Sequence, residues 1–405
     1  MRIAIISEHA SPLATLGGRD AGGQNTHVAE LAAALAAQGH DVRVYTRRDQ
    51  PHQDTVLPLG DGVSVVHVPA GPAEPVPKDE LLPYMPEFGR WLARHWQDDV
   101  WRPDVAHAHF WMSGLAALAA GRQTGVPVVQ TYHALGTVKR RHQGSADTSP
   151  PRRIRYERML GTGVDRVIAQ CADEVQELTR MGVPRSAITV VPSGVNQAIF
   201  TPDGPAARRD PGRPRLLSVG RLVERKGFQD AVRALRAVPG AEYVLIGGPP
   251  AARLADDGFA QRLRALAASH DVADRVHLVG AVPRVDMARW YRSADLLVAT
   301  PWYEPFGLTP LEAMACGTPV VGTAVGGLTD TVVPGVTGDL VPPRDPEALG
   351  AALRRLLDDP DRRRRYGVAA VDRIRTGYSW SRTAARLGAV YTAVCGAPQT
   401  SAAVA

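Results

Sequence analysis

Leu296-Leu-Val-Ala-Thr-Pro-Trp-Tyr-Glu-Pro-Phe-Gly-Leu-Thr-Pro-Leu-Glu-Ala-Met-Ala-Cys-Gly-Thr-Pro-Val-Val-Gly322 holds one complete unit of the fold. Residues 296–299 are a short apolar run, as expected of a strand buried on both faces. A proline- and glycine-bearing loop follows, then a helical pattern over 308–316. A second apolar run at 319–322 closes the unit. Strand, crossover helix and strand make a βαβ unit with parallel strands. Working outward, the same alternation fills the chain. In the second half, runs at 215–219, 242–246 and 276–279 alternate with helical patterns at 228–238, 254–270 and 285–293. In the first half, runs at 3–6, 42–45, 63–68, 105–107, 126–130, 166–169 and 188–191 enclose helical stretches such as 26–38 and 113–123. Right-handed crossovers turn such a pattern into doubly wound sheets. The fold class is α/β, with two doubly wound Rossmann-like domains facing each other across a cleft.

The segment 200–214 is rich in Pro and Gly and lacks periodicity, so it reads as a linker. The expected divisions are 1–200, a linker at 201–214, a second domain at 215–375, and a C-terminal helix and tail at 376–405. Ligands of open α/β sheets lie beyond the carboxyl ends of the strands, where strand order reverses.

The 405 residues are 44% hydrophobic and 22% charged, which argues against a disordered or collagen-like chain. No apolar run approaches the roughly 20 residues that span a bilayer. Met1 to Ser7 is too short for a signal peptide and reads as a strand. Cys171, Cys316 and Cys395 form no CxxC pair, which weighs against disulfides and structural zinc. A reducing cytoplasm is the expected setting. The net charge is +6, and only three of the 47 basic residues are lysines: Lys78, Lys139 and Lys226. The basicity suits anionic small molecules, and no aromatic-interleaved basic stripe points to nucleic acid.

Several stretches carry chemistry. Asp20-Ala-Gly-Gly-Gln-Asn25 precedes a helix; Gly22 and Gly23 let backbone N–H groups approach an anion, or they simply make a turn. Gly220-Arg-Leu-Val-Glu-Arg-Lys-Gly227 follows a strand, so Arg221 and Lys226 could neutralise a departing diphosphate without a metal. Glu304 and Glu312 flank the helix start at Phe306, Gly307 and Leu308, where free amides suit an anionic or hydroxyl-rich ligand. His107-Ala-His-Phe-Trp111 and Thr131-Tyr-His133 end two strands, which favours the cleft for His109 and His133. Zinc at these histidines lacks a third ligand at usual spacing. Lys139-Arg-Arg-His142 and Arg152-Arg-Ile-Arg155 are either an exposed face or an acceptor-phosphate pocket. Asp359-Pro-Asp361 is the one DxD match noted, and it reads as a capping turn between helices.

Together, Glu304 with Glu312, Gly220-Arg221 with Lys226-Gly227, and the Gly22-Gly23 loop resemble the retaining family-4 glycosyltransferases of GT-B architecture. Within that family, Ala21 to Asn25, His107 to Gly114 and the His133 to Lys139 region are similar to the inositol-phosphate N-acetylglucosaminyltransferases of mycothiol synthesis and to sucrose-phosphate synthases. The resemblance implies a UDP-, GDP- or ADP-sugar donor, no metal, and transfer to a small acceptor. It implies donor contacts at Gly22, Gly23, Arg221, Lys226, Glu304, Phe306, Gly307, Leu308 and Glu312. His133, Arg221, Lys226 and Glu304 would be catalytic, with His133 beside the sugar. Asn25, Lys78, Phe110, Lys139, Arg153 and Arg155 would meet the acceptor. Ala134 replaces a threonine of the inositol-phosphate branch, and Phe110-Trp111 replaces its Tyr-Trp, so the acceptor stays open.

The alternatives are a GT-B nucleotide-sugar epimerase and a lipid-acceptor transferase at a membrane surface. A dinucleotide-dependent dehydrogenase would need GxGxxG, which is lacking here. The expected partners are a donor and a small acceptor, with no nucleic acid and no stable membrane insertion; a homodimer is allowed.

Overall fold

The computed structural model describes residues 1–13, 22–98 and 100–397. Two sheets organise them. The first holds β1 (Arg2–Ile6), β2 (Asp41–Arg47), β3 (Val56–Gly60), β4 (Val63–Val68), β5 (Val105–His109), β6 (Val128–Thr131), β7 (Arg166–Ala169) and β8 (Ile188–Val190), in the order β3-β4-β2-β1-β5-β6-β7-β8. Every neighbour pair in it is parallel except β3 with β4. The second holds β9 (Arg215–Val219), β10 (Glu242–Ile246), β11 (Val276–Gly280), β12 (Leu296–Ala299), β13 (Val320–Thr323) and β14 (Gly338–Val341), in the order β11-β10-β9-β12-β13-β14, and is parallel throughout.

Period-two alternation sets what each face buries. In β1, Ala4 and Ile6 join the core under the helices Met85–Asp98 and Trp111–Thr124, while Ile3 and Ile5 join Val28, Leu31 and Leu35 of the helix Gly23–Ala36. In the second sheet, Leu216, Tyr243, Leu296 and Val298 face one core and Leu217, Val244 and Leu297 the other. The C-terminal helix Trp380–Gly396 completes the first domain's second layer: Trp380, Ala384, Leu387 and Tyr391 pack with Ile3, Ile5 and Val42. Its Tyr391 hydroxyl meets His107 Nδ1 at 2.7 Å. Among the described residues, no helix is long and apolar enough to cross a membrane.

Two strands escaped the sequence reading. β3 is an antiparallel edge strand with alternating exposure, and Pro58 inside it masks the strand signal. β14 is short and starts with Gly338-Asp339. Neither alters the positions of the switch points. Strand order reverses at β1/β5 in the first sheet and at β9/β12 in the second. The loops after those four strands are therefore the ones placed to build a ligand cleft.

Candidate active site

The loop after β9 and the loop after β12 are tied together. Gly227 has φ +67, and a Cβ there would overlap the carbonyl of Thr300 just past β12. Thr300 Oγ1 donates to the Gly227 carbonyl at 2.9 Å, and Trp302 N donates to the Arg225 carbonyl at 2.8 Å. On the far side, Gly326 (φ +47) packs so tightly against the Glu304 carbonyl that no side chain fits, and Gly327 N donates to that carbonyl at 3.0 Å. Glu304 is thus gripped through its backbone, and its side chain is free to meet Lys226. The Lys226 ammonium donates to Glu304 Oε2 at 2.5 Å.

This pair sits in surplus positive charge. Burial would raise the Glu304 carboxyl, but Lys226, Arg225 and Arg221 outweigh it and hold the group below its usual value. Burial lowers Lys226, and Arg225 and Arg221 add to that against the pull of Glu304. Arg225 lies over the Tyr303 ring at 5.4 Å, a position that keeps its fork beside the pair.

Glu312 occupies the first turns of the helix Leu308–Ala315. Its Oε1 accepts from Arg284 at 2.6 Å and its Oε2 from the Tyr291 hydroxyl at 2.8 Å. Arg284 also reaches Glu30 of the first domain at 3.5 Å, which puts Glu312 at the domain junction. The helix starts at Gly307, with φ +91, while Phe306 is buried in the core. Its first amides have no partner inside the helix.

The first domain closes over this surface. A Cβ on Gly23 would lie 3.6 Å from Leu308 Cδ1 of the second domain. Gly22 N donates to Asn25 Oδ1 at 2.9 Å, and Asn25 Nδ2 to the Ser11 carbonyl at 3.0 Å, so the side chain of Asn25 holds the glycine loop. Asp20 and Ala21 of that loop lie outside the described residues. Gln143 Nε2 donates to the Tyr303 hydroxyl at 2.5 Å, His142 stacks on Tyr303 at 5.0 Å, and Ala172 N donates to Asp330 Oδ2 at 2.7 Å. All of these join loops at the carboxyl edges of the two sheets.

At the β5 and β6 ends, Phe110 and His133 adopt positive φ (+80 and +59). Such strain in non-glycine residues costs on the order of 1–3 kcal/mol and gathers where geometry is functional. His109 Nδ1 and His133 Nε2 lie 2.8 Å apart. His27, from the helix Gly23–Ala36, completes a trio whose ring nitrogens lie within 4.8 Å of one another. The third ring that sequence spacing lacks comes from a different element.

Of the residues expected to meet the acceptor, Phe110, Lys139 and Arg153 converge. Lys139 is 3.0 Å from Asp147 and 3.7 Å from Asp79, and donates to Ser149 Oγ at 2.9 Å. Asp79 belongs to the short turn Lys78–Glu80, which brings half-buried Lys78 to the same region. Arg153 requires correction. It is 2% exposed, and donates to Glu157 Oε1 (2.7 Å), Ser149 Oγ (3.1 Å) and the Ala134 carbonyl (2.6 Å). Its guanidinium lies over Phe110 at 5.1 Å. It therefore shapes the His133 loop rather than meeting a ligand. Arg155 is exposed on the same helix.

Sequence reasoning missed several groups. Buried Glu8, just after β1, bonds His9 at 2.7 Å and the Ser113 hydroxyl. Arg225, Arg284 and Tyr291 also went unassigned. Arg225 had a signal, being next to Lys226; Arg284 and Tyr291 lie 28 and 21 residues from Glu312 and had none.

Comparisons with known proteins identify the family and the fold. The Glycosyltransferase Family 4 profile matches residues 21–198, and the Glycosyl transferases group 1 profile matches residues 203–373. The D-inositol 3-phosphate glycosyltransferase of Thermobispora bispora is 38% identical, over 96% of this chain and 94% of that protein. The one from Acidothermus cellulolyticus is 41% identical, over 88% of this chain and 83% of that protein. The sucrose-phosphate synthase structure from Thermosynechococcus elongatus superposes with a TM-score of 0.88 at 32% identity, covering 97% of this chain and 98% of that one. The chain belongs to the family-4 glycosyltransferases and has their two-domain GT-B fold.

Proposed function

We propose that this glycosyltransferase moves a sugar from a nucleoside-diphosphate sugar to a hydroxyl of a small, polar, phosphorylated acceptor, with retention and without a metal. The observation that carries the reading is the Lys226–Glu304 pair within a cluster of arginines at the β9/β12 switch point. Arg221 and Lys226 neutralise the departing diphosphate. Glu304 holds the transferred sugar beside the amides of Phe306, Gly307 and Leu308. Glu312, oriented by Arg284 and Tyr291, receives the ribose hydroxyls. Gly23 offers its backbone amide to the diphosphate from the opposite domain, while the Gly22 amide, expected to do the same, is already taken by Asn25.

Residues 1–200 form the acceptor side and 215–375 the donor side, with 201–214 as linker and the helix Trp380–Gly396 returning to the first domain. Asn25, Lys78, Phe110 and Lys139 border the acceptor space. Phosphorylated acceptors are supported by the relatives, which are named for inositol 3-phosphate and sucrose phosphate.

In the transfer step the bond from the anomeric carbon to the phosphate oxygen breaks, and its electron pair leaves with the diphosphate. The acceptor hydroxyl attacks from the same face, and a phosphate oxygen takes its proton. His133 stands beside the sugar at the anomeric side. Nothing in this step needs a second carboxylate on the opposite face, as a double displacement would.

A thermal-shift panel of UDP, GDP and ADP tests the donor side. One nucleotide should raise Tm selectively, since a ligand at 100 times its Kd stabilises by about 2.7 kcal/mol. A flat response to all three would overturn the assignment. Product analysis with donor alone then tests the transfer. A sugar isomerised without any acceptor would establish an epimerase instead.

A further inference from the structure

We propose that His27, His109 and His133 form a binding site for a late first-row divalent metal ion such as zinc, where the ends of β5 and β6 meet the helix Gly23–Ala36. The three rings come from three elements: the helix Gly23–Ala36, the end of β5, and the turn after β6. One ring nitrogen of each lies within 4.8 Å of the others. Tetrahedral zinc with bonds of about 2.0–2.1 Å separates its ligand nitrogens by about 3.4 Å, so small ring rotations close the site.

Three further observations point to a ligand. First, His109 Nε2 is buried and has no hydrogen-bond partner. A buried polar atom without a partner calls for an occupant nearby. Second, the Nδ1 side of His27 is anchored, with Gln170 Nε2 at 3.4 Å and Ser193 closer. The His27 Nδ1 lies 2.8 Å from Ser193 Oγ, which in turn accepts from Gln170 Nε2 at 2.7 Å. With Nδ1 as donor to Ser193, Nε2 keeps its lone pair. Third, burial keeps the rings neutral, which is the ligating form: His27 is lowered to about 3, and His109 and His133 fall well below the usual value.

The donor set also selects the metal. Three imidazoles without a carboxylate favour zinc, cobalt, nickel or copper over magnesium or calcium, which prefer oxygen. Each ring binds as neutral imidazole, so binding releases no proton. His133 is half-buried and leaves one side of the site toward the cleft. Where the proposed transfer reaction holds, a bound ion removes His133 from the sugar pocket, and the ion acts as an inhibitor. That consequence rests on the reading of the cleft given above; metal binding itself does not.

Titration of the full chain with Co2+, read by visible absorption, tests the site. One equivalent should bind with the d–d bands of a nitrogen-rich tetrahedral ion, be displaced by Zn2+, and be untouched by excess Mg2+. H27Q and H109Q should each weaken binding about tenfold or more while keeping the far-UV circular dichroism of the parent. No cobalt band in the parent, or equal affinity in both variants, overturns the site. If the variants misfold, X-ray absorption on the zinc-loaded parent decides: three imidazole ligands support it, and a thiolate or carboxylate shell overturns it. In turnover assays Zn2+ should inhibit and EDTA should restore the rate. Cobalt binding at the trio with unchanged turnover would keep the metal site and overturn the placement of His133 at the transfer centre.

Discussion

Two of the short cation–carboxylate pairs among the described residues look alike on paper and differ in what surrounds them. Arg153 and Glu157 meet at 2.7 Å in the first domain; Lys226 and Glu304 meet at 2.5 Å in the second. Around Glu157, burial wins: it raises the carboxyl despite the Arg153 charge. Around Glu304, the cations win and the carboxyl is lowered. The first pair is closed. Glu157 also accepts from Gly136 N, and Arg153 from its side braces the Ala134 carbonyl, so the pair locks the start of the helix Gly136–Gln143 to the turn carrying His133. The second pair is open, in that Arg225 and Arg221 add to the pull of Lys226 on the Glu304 carboxyl. An ion pair alone does not mark a site; further charge of one sign acting on it does.

That contrast is broken most directly at Arg153. R153A should cost about 3–5 kcal/mol of stability, because it strands a buried carboxylate. Urea unfolding measures it, and a loss below about 1 kcal/mol would remove the structural role. The mirror experiment is K226A. Its unfolding midpoint should stay near that of the parent, while kcat/KM falls by about 10²–10³, the usual effect of losing one group that stabilises developing negative charge. A variant that loses stability but turns over normally would reverse the two roles assigned here.

The sequence revealed much of the open site and little of the closed one, for physical reasons. Arg221, Lys226 and Glu304 stand next to strand ends, and strand ends are visible as breaks in apolar runs. Lysine scarcity singled out Lys226 as well. Arg153 was misread because an arginine-rich segment ordinarily faces water; its partner four residues on, Glu157, was the available clue. The alternation of runs located the strands that carry the site, but it could not give their order, see β3 through Pro58, or join Arg284 to Glu312 across 28 residues. The histidine trio needed three elements to meet. His27 sits on a helix face that reads as ordinary core, and only the fold carries it to His109 and His133.

The smallest expected effect is no effect at all, and it bears on the open pair. Three cations, Arg221, Arg225 and Lys226, act on the carboxylate Glu304. A diphosphate leaving group develops its negative charge beside the same three groups. Guanidinium and ammonium groups already fixed in place need no reorganisation when that charge develops. A bound divalent ion would add little where such groups already do this. Turnover in EDTA should therefore equal turnover without it, or exceed it where traces of zinc occupy the histidine trio. A rate that collapsed in EDTA and returned with Mg2+ would mean that the cations at the β9/β12 switch point do not balance the diphosphate by themselves.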